Sequence, residues 1–303
     1  MSLGKMPMIT NLWSKVIDGE KGEWLSRVVI ESTKPYQYAV EDTDAGIALV
    51  GSGVLVNMPE GSIEVNDGLI RGINVKQENA GGARVEMVLA RPVKYDLKCA
   101  AGFPFRLVVN LDRSDIIGLF NGKKIVVDPG HGGRDAGGKG PVSLLEKNVV
   151  VPIAANLEKQ LRRAGAQVMM TRSGDEDVSI NDRISLAVEG CADAYISLHT
   201  HVSADSSVDG AATLYAASNR QSARLAGYVQ EEIIKKLKVR DRGTARQPLL
   251  DGIGENIPAV EVEVVTITNI VEEVFLRGLT IQKRAAEGIV NGLIKYFASE
   301  GRN

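Results

Sequence analysis

The chain lacks several features that would point to particular classes of protein. Among its 303 residues, 36 are Lys or Arg and 38 are Asp or Glu, so no excess of positive charge favours binding to nucleic acid. No apolar run is long enough to span a membrane. The two cysteines, Cys99 and Cys191, lie far apart, which argues against a disulfide framework and predicts buried free thiols. Only three histidines are present, so their positions are informative.

The start of the chain carries no apolar segment of the kind found in signal peptides. If the protein acts outside the cytoplasmic membrane, we therefore expect that a natural leader has been removed ahead of residues 1–5. The hydrophobic fraction of 44% is that of an ordinary globular protein, and the length suggests about two domains.

Residues 1–115 contain short strand patterns and almost no helix pattern. Residues 84–89 alternate between apolar and polar side chains, and turn signals such as Gly81-Gly82 separate the strands. Several short strands at close spacing predict a small all-β sandwich. We find no catalytic constellation in it, which favours a structural or binding module.

After a predicted linker over 116–122, the pattern changes to strands alternating with longer helices. Residues 123–303 are therefore predicted to form an α/β domain, a mostly parallel sheet with helices on both faces. The predicted strands are 124–128, 167–171, 194–198, 211–216 and 259–266, and the predicted helices are 147–164, 180–189, 219–237 and 280–297.

The first histidine follows the strand predicted at 124–128. Its β-branched residues indicate a buried strand, and Pro129 and Gly130 end it. His131 is therefore delivered at the C-terminal end of a strand, where open α/β sheets bind ligands. We interpret it first as a metal ligand.

The other two histidines follow the strand predicted at 194–198. In an extended chain, the side chains of His199 and His201 lie on the same side. His199, nearer the strand, is the preferred second ligand, whereas His201 is a candidate for hydrogen bonding to the substrate. A catalytic zinc takes three protein ligands, so a carboxylate is expected as the third. Asp135 and Glu146 are the candidates, and spacing alone does not choose between them.

Two more carboxylates lie within the apolar strand predicted at 259–266. Glu261 and Glu263 fall on one face of this strand, and burial of a carboxylate is costly without a partner. Either that face is solvated or one carboxylate points at the metal site and acts as a general base for an attacking water. Glu263 lies nearer the C-terminal end, where the crevice is expected.

Together these residues resemble the zinc-dependent N-acetylmuramoyl-L-alanine amidases of the Amidase_3 type, over about residues 123–297. Each segment alone is weakly specific, and the resemblance depends on the ordered set. The matching segments are Val127-Asp128-Pro129-Gly130-His131-Gly132-Gly133-Arg134-Asp135, Leu145-Glu146-Lys147-Asn148, Val168-Met169-Met170-Thr171-Arg172, Asp177-Val178-Ser179 with Arg183, residues 192–199, Arg242-Gly243, and Pro258-Ala259-Val260 with Glu263 five positions after the proline.

The resemblance implies a Zn²⁺ ion held by His131, Glu146 and His199, with Glu263 as the catalytic carboxylate and His201 beside the substrate. It implies a peptidoglycan hydrolase, an autolysin acting in the periplasm or cell wall, which cleaves the amide between N-acetylmuramic acid and the L-alanine of the stem peptide. The first domain resembles the AMIN domain, a β-sandwich that targets such amidases to the cell wall.

The segment after Glu263 departs from the family pattern. After the catalytic glutamate the family usually has Gly-Phe, then a small polar residue and Asn, whereas this chain has Val264-Val265-Thr266-Ile267-Thr268-Asn269; many members also have Asn where this chain has His201. These departures affect substrate positioning more than metal binding. The alternative functions are therefore a cell-wall-binding protein with a weakly active or inactive amidase-like domain, and a zinc peptidase or deacetylase acting on another amide.

Overall fold

The computed structural model describes residues 6–300, and the chain divides into two units between Asp115 and Ile116. The expected removal of a leader concerns residues 1–5, which lie outside the described part. The linker predicted over 116–122 is mostly helical, because it falls within α1 (Ser114–Phe120) and the turn after it. Ile116 and Phe120 lie on one face of this helix and are fully buried.

The first unit is all-β, as predicted, and contains two five-stranded sheets among the described residues. Their strand orders are β5-β1-β2-β10-β9 and β3-β4-β8-β7-β6. The strands are β1 (Met8–Asp18), β2 (Trp24–Ser32), β3 (Gln37–Thr43), β4 (Gly46–Ser52), β5 (Leu55–Val56), β6 (Gly61–Glu64), β7 (Ile70–Asn79), β8 (Gly82–Leu89), β9 (Tyr95–Ala100) and β10 (Phe105–Asp112).

Alternation of apolar residues explains which faces of these strands are buried. Val85 and Met87 of β8 and Leu107 and Val109 of β10 are almost completely buried, as expected when two sheets pack face to face. The prediction of buried thiols is wrong, because both cysteines are free but exposed. Cys99 lies on β9 at the edge of its sheet, and Cys191 lies in the turn after a helix.

The second unit contains a six-stranded sheet flanked by helices, which confirms the α/β class. The sheet is mixed, because β14 runs antiparallel to β16 while the other neighbouring pairs are parallel. In order across the sheet, its strands are β12 (Gln167–Met170), β11 (Lys124–Pro129), β13 (Ala194–His201), β16 (Ala259–Thr266), β14 (Ala211–Tyr215) and β15 (Asp241–Arg246).

The predicted helices agree with those of the structure to within a few residues. Ser179 caps the helix that begins at Ile180, and Asn219 caps the helix that begins at Arg220. None of the helices in residues 6–300 combines the length and apolar character needed to cross a bilayer. The remaining helices are α2 (Glu146–Arg163), α3 (Ile180–Glu189), α4 (Arg220–Leu237), a 3-10 helix (Pro248–Ile253), α5 (Ile270–Leu276) and α6 (Leu279–Glu300).

Candidate metal centre

The loop that follows β11 is fixed by two arginines. Arg172 donates from Nη2 to the carbonyl oxygen of Gly130 at 2.6 Å, and Arg183 donates from Nη2 to that of His131 at 2.7 Å. His131 adopts a left-handed φ of 61°, which is uncommon for a residue other than glycine. The two guanidinium groups therefore hold the first predicted ligand in a backbone conformation that the isolated chain would rarely adopt.

A closed polar network beneath this loop is centred on Asp128, which is only 3% exposed. Its carboxylate accepts hydrogen bonds from Arg183, Thr171, Tyr195 and Ser197. Burial alone would raise the pKa of Asp128, but the charge of Arg183 and these hydrogen bonds hold that pKa below its ordinary value. The network is therefore ionic and fully paired, and it connects β11 to β12, α3 and β13.

Three of the predicted metal ligands converge where β11 and β13 end. Glu146, the first residue of α2, places Oε2 at 3.2 Å from His131 Nε2 and Oε1 at 3.1 Å from His199 Nδ1. One ligand atom from each residue lies within 4.8 Å of the others. Glu146 also accepts hydrogen bonds from the backbone N–H groups of Gly138 and Thr200, both at 2.7 Å.

The electrostatics of this cluster favour an anionic glutamate between cationic rings. Burial opposes the charge of Glu146, but hydrogen bonds from His131 and His199 hold its pKa well below the ordinary range. Burial also opposes protonation of His131, yet Glu146 and Asp135 raise its pKa to about 9. The pKa of His199 is raised despite its burial, chiefly by its hydrogen bond with Glu146. A cation is therefore favoured at this point, whether a proton or a metal ion.

Two glycines leave the space that the histidine rings occupy. A Cβ on Gly130 would lie 2.2 Å from Cε1 of His199, and a Cβ on Gly137 would lie 2.5 Å from Cδ2 of His131. No side chain can be accommodated at such distances without moving a ring. The glycine-rich sequence around His131 is thus required by the close packing of backbone against imidazole.

The loop that leads into α2 is anchored by a buried glutamate of α5. The carboxylate of Glu273 accepts hydrogen bonds from the backbone N–H groups of Val142 at 2.6 Å and Leu144 at 2.9 Å. Burial would raise the pKa of Glu273, but these hydrogen bonds and Arg277 lower it. The predictions from sequence did not include this residue, which sets the path of the chain just before Glu146.

Asp135, the alternative third ligand, lies on the outer side of the first ring. Its Oδ2 is 2.8 Å from Nδ1 of His131, whereas Nε2 of the same ring faces Glu146. Asp135 is therefore placed to orient His131 and not to share an ion with it. Such outer carboxylates commonly hold metal-ligating histidines.

His201 and Glu263 form a second cluster with Arg242 from β15. Arg242 donates from Nη1 to Glu263 Oε2 at 2.8 Å and from Nη2 to His201 Nδ1 at 3.0 Å. Glu263 Oε1 lies 3.3 Å from the same nitrogen of His201. Arg242 was noted in the sequence only as part of a matching segment, and no role was predicted for it.

Glu261 lies on the same face of β16, closer to the metal ligands. Its Oε2 is 4.0 Å from Nε2 of His199, and its Oε1 accepts a hydrogen bond from Gln247 at 3.1 Å. Burial raises the pKa of Glu261. The two glutamates that the sequence could not separate therefore have different partners.

The donor set of His131, Glu146 and His199 fits a zinc ion. Two imidazole nitrogens and one carboxylate oxygen are a recurrent ligand set of catalytic zinc, which keeps a further position open for water. The side chains of both histidines remain partly exposed, at 23% and 22%, so solvent and substrate can reach the cluster. Such a donor set, open to solvent, is typical of metal-dependent hydrolases.

Comparison with known proteins agrees with this class. A model of the Amidase_3 family, described as N-acetylmuramoyl-L-alanine amidase, matches residues 125–295, which is more than half of the chain. The chain therefore belongs to the Amidase_3 family.

Individual relatives give the same result. The chain is 36% identical over 201 residues to the probable cell wall amidase LytH of Staphylococcus epidermidis, which covers 66% of this chain and 67% of LytH. It is 33% identical over 178 residues to the N-acetylmuramoyl-L-alanine amidase LytC of Bacillus subtilis, but spans only 36% of that protein. The crystal structure of an N-acetylmuramoyl-L-alanine amidase from Clostridium difficile superimposes with a TM-score of 0.57 at 32% identity, and covers 60% of this chain and 100% of that structure.

Proposed function

We propose that the chain is a zinc-dependent N-acetylmuramoyl-L-alanine amidase, which hydrolyses the amide between N-acetylmuramic acid and the L-alanine of the stem peptide. The observation that carries the proposal is the convergence of His131, Glu146 and His199, with ligand atoms within 4.8 Å of one another. These three residues would hold the ion. When bound, zinc supplies an activated water and polarises the amide carbonyl.

In this proposal Glu263 acts as the general base and then as the general acid. Its carboxylate takes a proton from the attacking water and returns it to the leaving amine of L-alanine. Arg242 donates to Oε2 of Glu263 at 2.8 Å, which holds the side chain in one orientation.

His201 is proposed to stabilise the oxyanion that develops on the amide carbonyl. Arg242 Nη2 at 3.0 Å and Glu263 Oε1 at 3.3 Å both contact Nδ1 of His201, and these contacts hold the ring in place. An imidazole N–H is a donor suited to a developing negative charge.

The first unit is proposed to be an AMIN-like domain that binds the cell wall. Its two β-sheets are antiparallel except for the pair β1 and β5, and no catalytic cluster is found among its described residues, which supports a binding module more than a second enzyme. The substrate places the proposed activity outside the cytoplasmic membrane, in the periplasm or wall. The name of the relative LytH, a probable cell wall amidase, supports the same location.

The test is replacement of Glu263 by Gln, with hydrolysis followed as release of L-alanine amino termini from purified peptidoglycan. Glu263→Gln should retain zinc but lose at least the ~10²–10⁴-fold that general acid–base catalysis contributes. Glu189→Gln, on the exposed surface of α3, is the matched control and should hydrolyse at the wild-type rate. Hydrolysis by Glu263→Gln at the wild-type rate would exclude this role.

A second function is favoured by the segment that follows Glu263. Residues 264–269 depart from the usual family pattern with Gly-Phe, and Val264, Val265 and Thr266 are fully buried here. A wall-binding protein with a weakly active amidase-like domain would bind zinc and peptidoglycan but release few amino termini. The same hydrolysis assay on the wild-type protein separates the two functions.

A further inference from the structure

His199 lies between two carboxylates, and the outer one belongs to Glu261. Glu146 Oε1 lies 3.1 Å from Nδ1 of the ring, and Glu261 Oε2 lies 4.0 Å from Nε2 on its other side. Gln247 holds the second oxygen of Glu261 at 3.1 Å, so the carboxylate is oriented and not simply exposed to solvent. The neighbouring backbone of Gly130 packs against the ring, which leaves His199 little freedom to rotate.

His131 also has a carboxylate on its outer side, at hydrogen-bond distance. Its Nε2 faces Glu146 at 3.2 Å, while its Nδ1 is hydrogen-bonded to Asp135 at 2.8 Å. Each ring therefore shares Glu146 on its inner side and has a carboxylate of its own on its outer side. In metal sites, an outer carboxylate fixes the tautomer and orientation of the ring and makes it a more basic ligand.

The surroundings of Glu261 argue against a role in stability alone. The Glu261 side chain is only 13% exposed. A carboxylate in such a place costs free energy unless it is well paired, and Gln247 supplies a single neutral hydrogen bond. Among the described contacts of Glu261, the group that can carry positive charge is the ring of His199, when that ring holds a proton or a metal ion.

We propose that Glu261 is a positioning residue that orients His199 as a metal ligand, in parallel with Asp135 at His131. This assignment rests on the proposed zinc site, and it gives different roles to the two glutamates of β16. Glu261 serves the metal ligand, whereas Glu263, two residues further on, serves the substrate. At 4.0 Å the contact is longer than a hydrogen bond and acts through charge.

The test measures zinc affinity by competition with a chromogenic chelator for the wild-type protein, Glu261→Gln and Glu263→Gln. Glu261→Gln should weaken zinc binding by about tenfold, at the lower end of the effect of outer-shell partners. Glu263→Gln removes the same charge from the same face of the same strand, so it controls for the loss of charge and should change the affinity much less.

A second variant separates positioning from folding. Glu261→Leu should leave the thermal midpoint of the metal-free protein unchanged or raise it, because a buried carboxylate is replaced by an apolar side chain. The same variant should still lose zinc affinity. Equal affinities for wild type and Glu261→Gln, or equal losses in Glu261→Gln and Glu263→Gln, would overturn this assignment alone. A wild-type protein that binds no zinc would overturn the proposed function and this assignment with it.

Discussion

Asp128 and Glu146 are two buried carboxylates of the second unit, on either side of the loop that carries His131. Their side-chain partners are chemically different. Asp128 is paired with Arg183 and with hydroxyl groups, in a network closed to solvent. Glu146 is equally buried, but its side-chain partners are the imidazoles of His131 and His199, whose rings are partly exposed. A guanidinium keeps its protons, whereas an imidazole can exchange a proton for a metal ion.

Burial of a carboxylate is therefore a poor guide to its role in this protein. The side-chain partners of the carboxylate determine its role. Permanent cations and hydroxyl groups form a structural network around Asp128, whereas titratable histidines open to solvent form a reactive site around Glu146. Substitutions of the two carboxylates should separate these roles.

The largest effect is expected for Glu146→Gln, on metal binding. The change removes an anionic ligand that lies against both histidine rings, so zinc affinity should fall by more than the ~10–100-fold that outer-shell partners typically cost. The free energy of unfolding should fall less than in Asp128→Asn, because the amide oxygen can still accept a backbone hydrogen bond. Zinc competition and chemical denaturation of the metal-free protein measure the two quantities, and retention of wild-type zinc affinity would contradict the site.

Asp128→Asn is expected to affect stability first. Arg183 would remain buried without its counter-charge, which typically costs about 3–5 kcal/mol of unfolding free energy. Urea denaturation of the metal-free protein measures this loss. If Asp128→Asn were as stable as wild type but failed to bind zinc, the Asp128 network would be part of the metal site. The distinction between a structural Asp128 and a metal-binding Glu146 would then be wrong.

A smaller effect is expected for Glu273→Gln, which weakens the anchor of the loop before Glu146. Two backbone N–H groups lose a charged acceptor, so the free energy of unfolding should fall by about 1–3 kcal/mol near neutral pH. Because the pKa of Glu273 is lowered in the fold, its contribution is present above the ordinary glutamate pKa of about 4.3 and is lost as the pH falls below that value. The difference in unfolding free energy between Glu273→Gln and wild type should therefore become smaller in acid. A difference that became larger in acid would contradict the stabilising role of ionised Glu273.

Much of the second unit could be predicted from local patterns. Residues 124–128 and 194–198 are apolar and rich in strand formers, and they lie in adjacent strands of the sheet. Strand β15 was missed because Asp241–Arg246 has no apolar alternation and is largely exposed. Its Arg242 consequently had no predicted partner, although it connects His201 and Glu263.

Long-range contacts explain the rest of what the sequence did not reveal. Spacing alone could not choose between Asp135 and Glu146, because both follow His131 and only the path of the loop shows which ring nitrogen each one faces. That path depends on Glu273, more than a hundred residues away in sequence. The identity of the third ligand was implied only by the resemblance to a family.

Zinc-dependent hydrolysis is tested most directly by two measurements on the purified protein. The first is its zinc content, and the second is the release of L-alanine amino termini from peptidoglycan with and without a chelator. We expect about one zinc per chain, the number that one His131–Glu146–His199 cluster can hold. We also expect that release stops when zinc is removed and returns when zinc is restored. Failure to bind zinc even after reconstitution, or release unaffected by the chelator, would contradict the central claim.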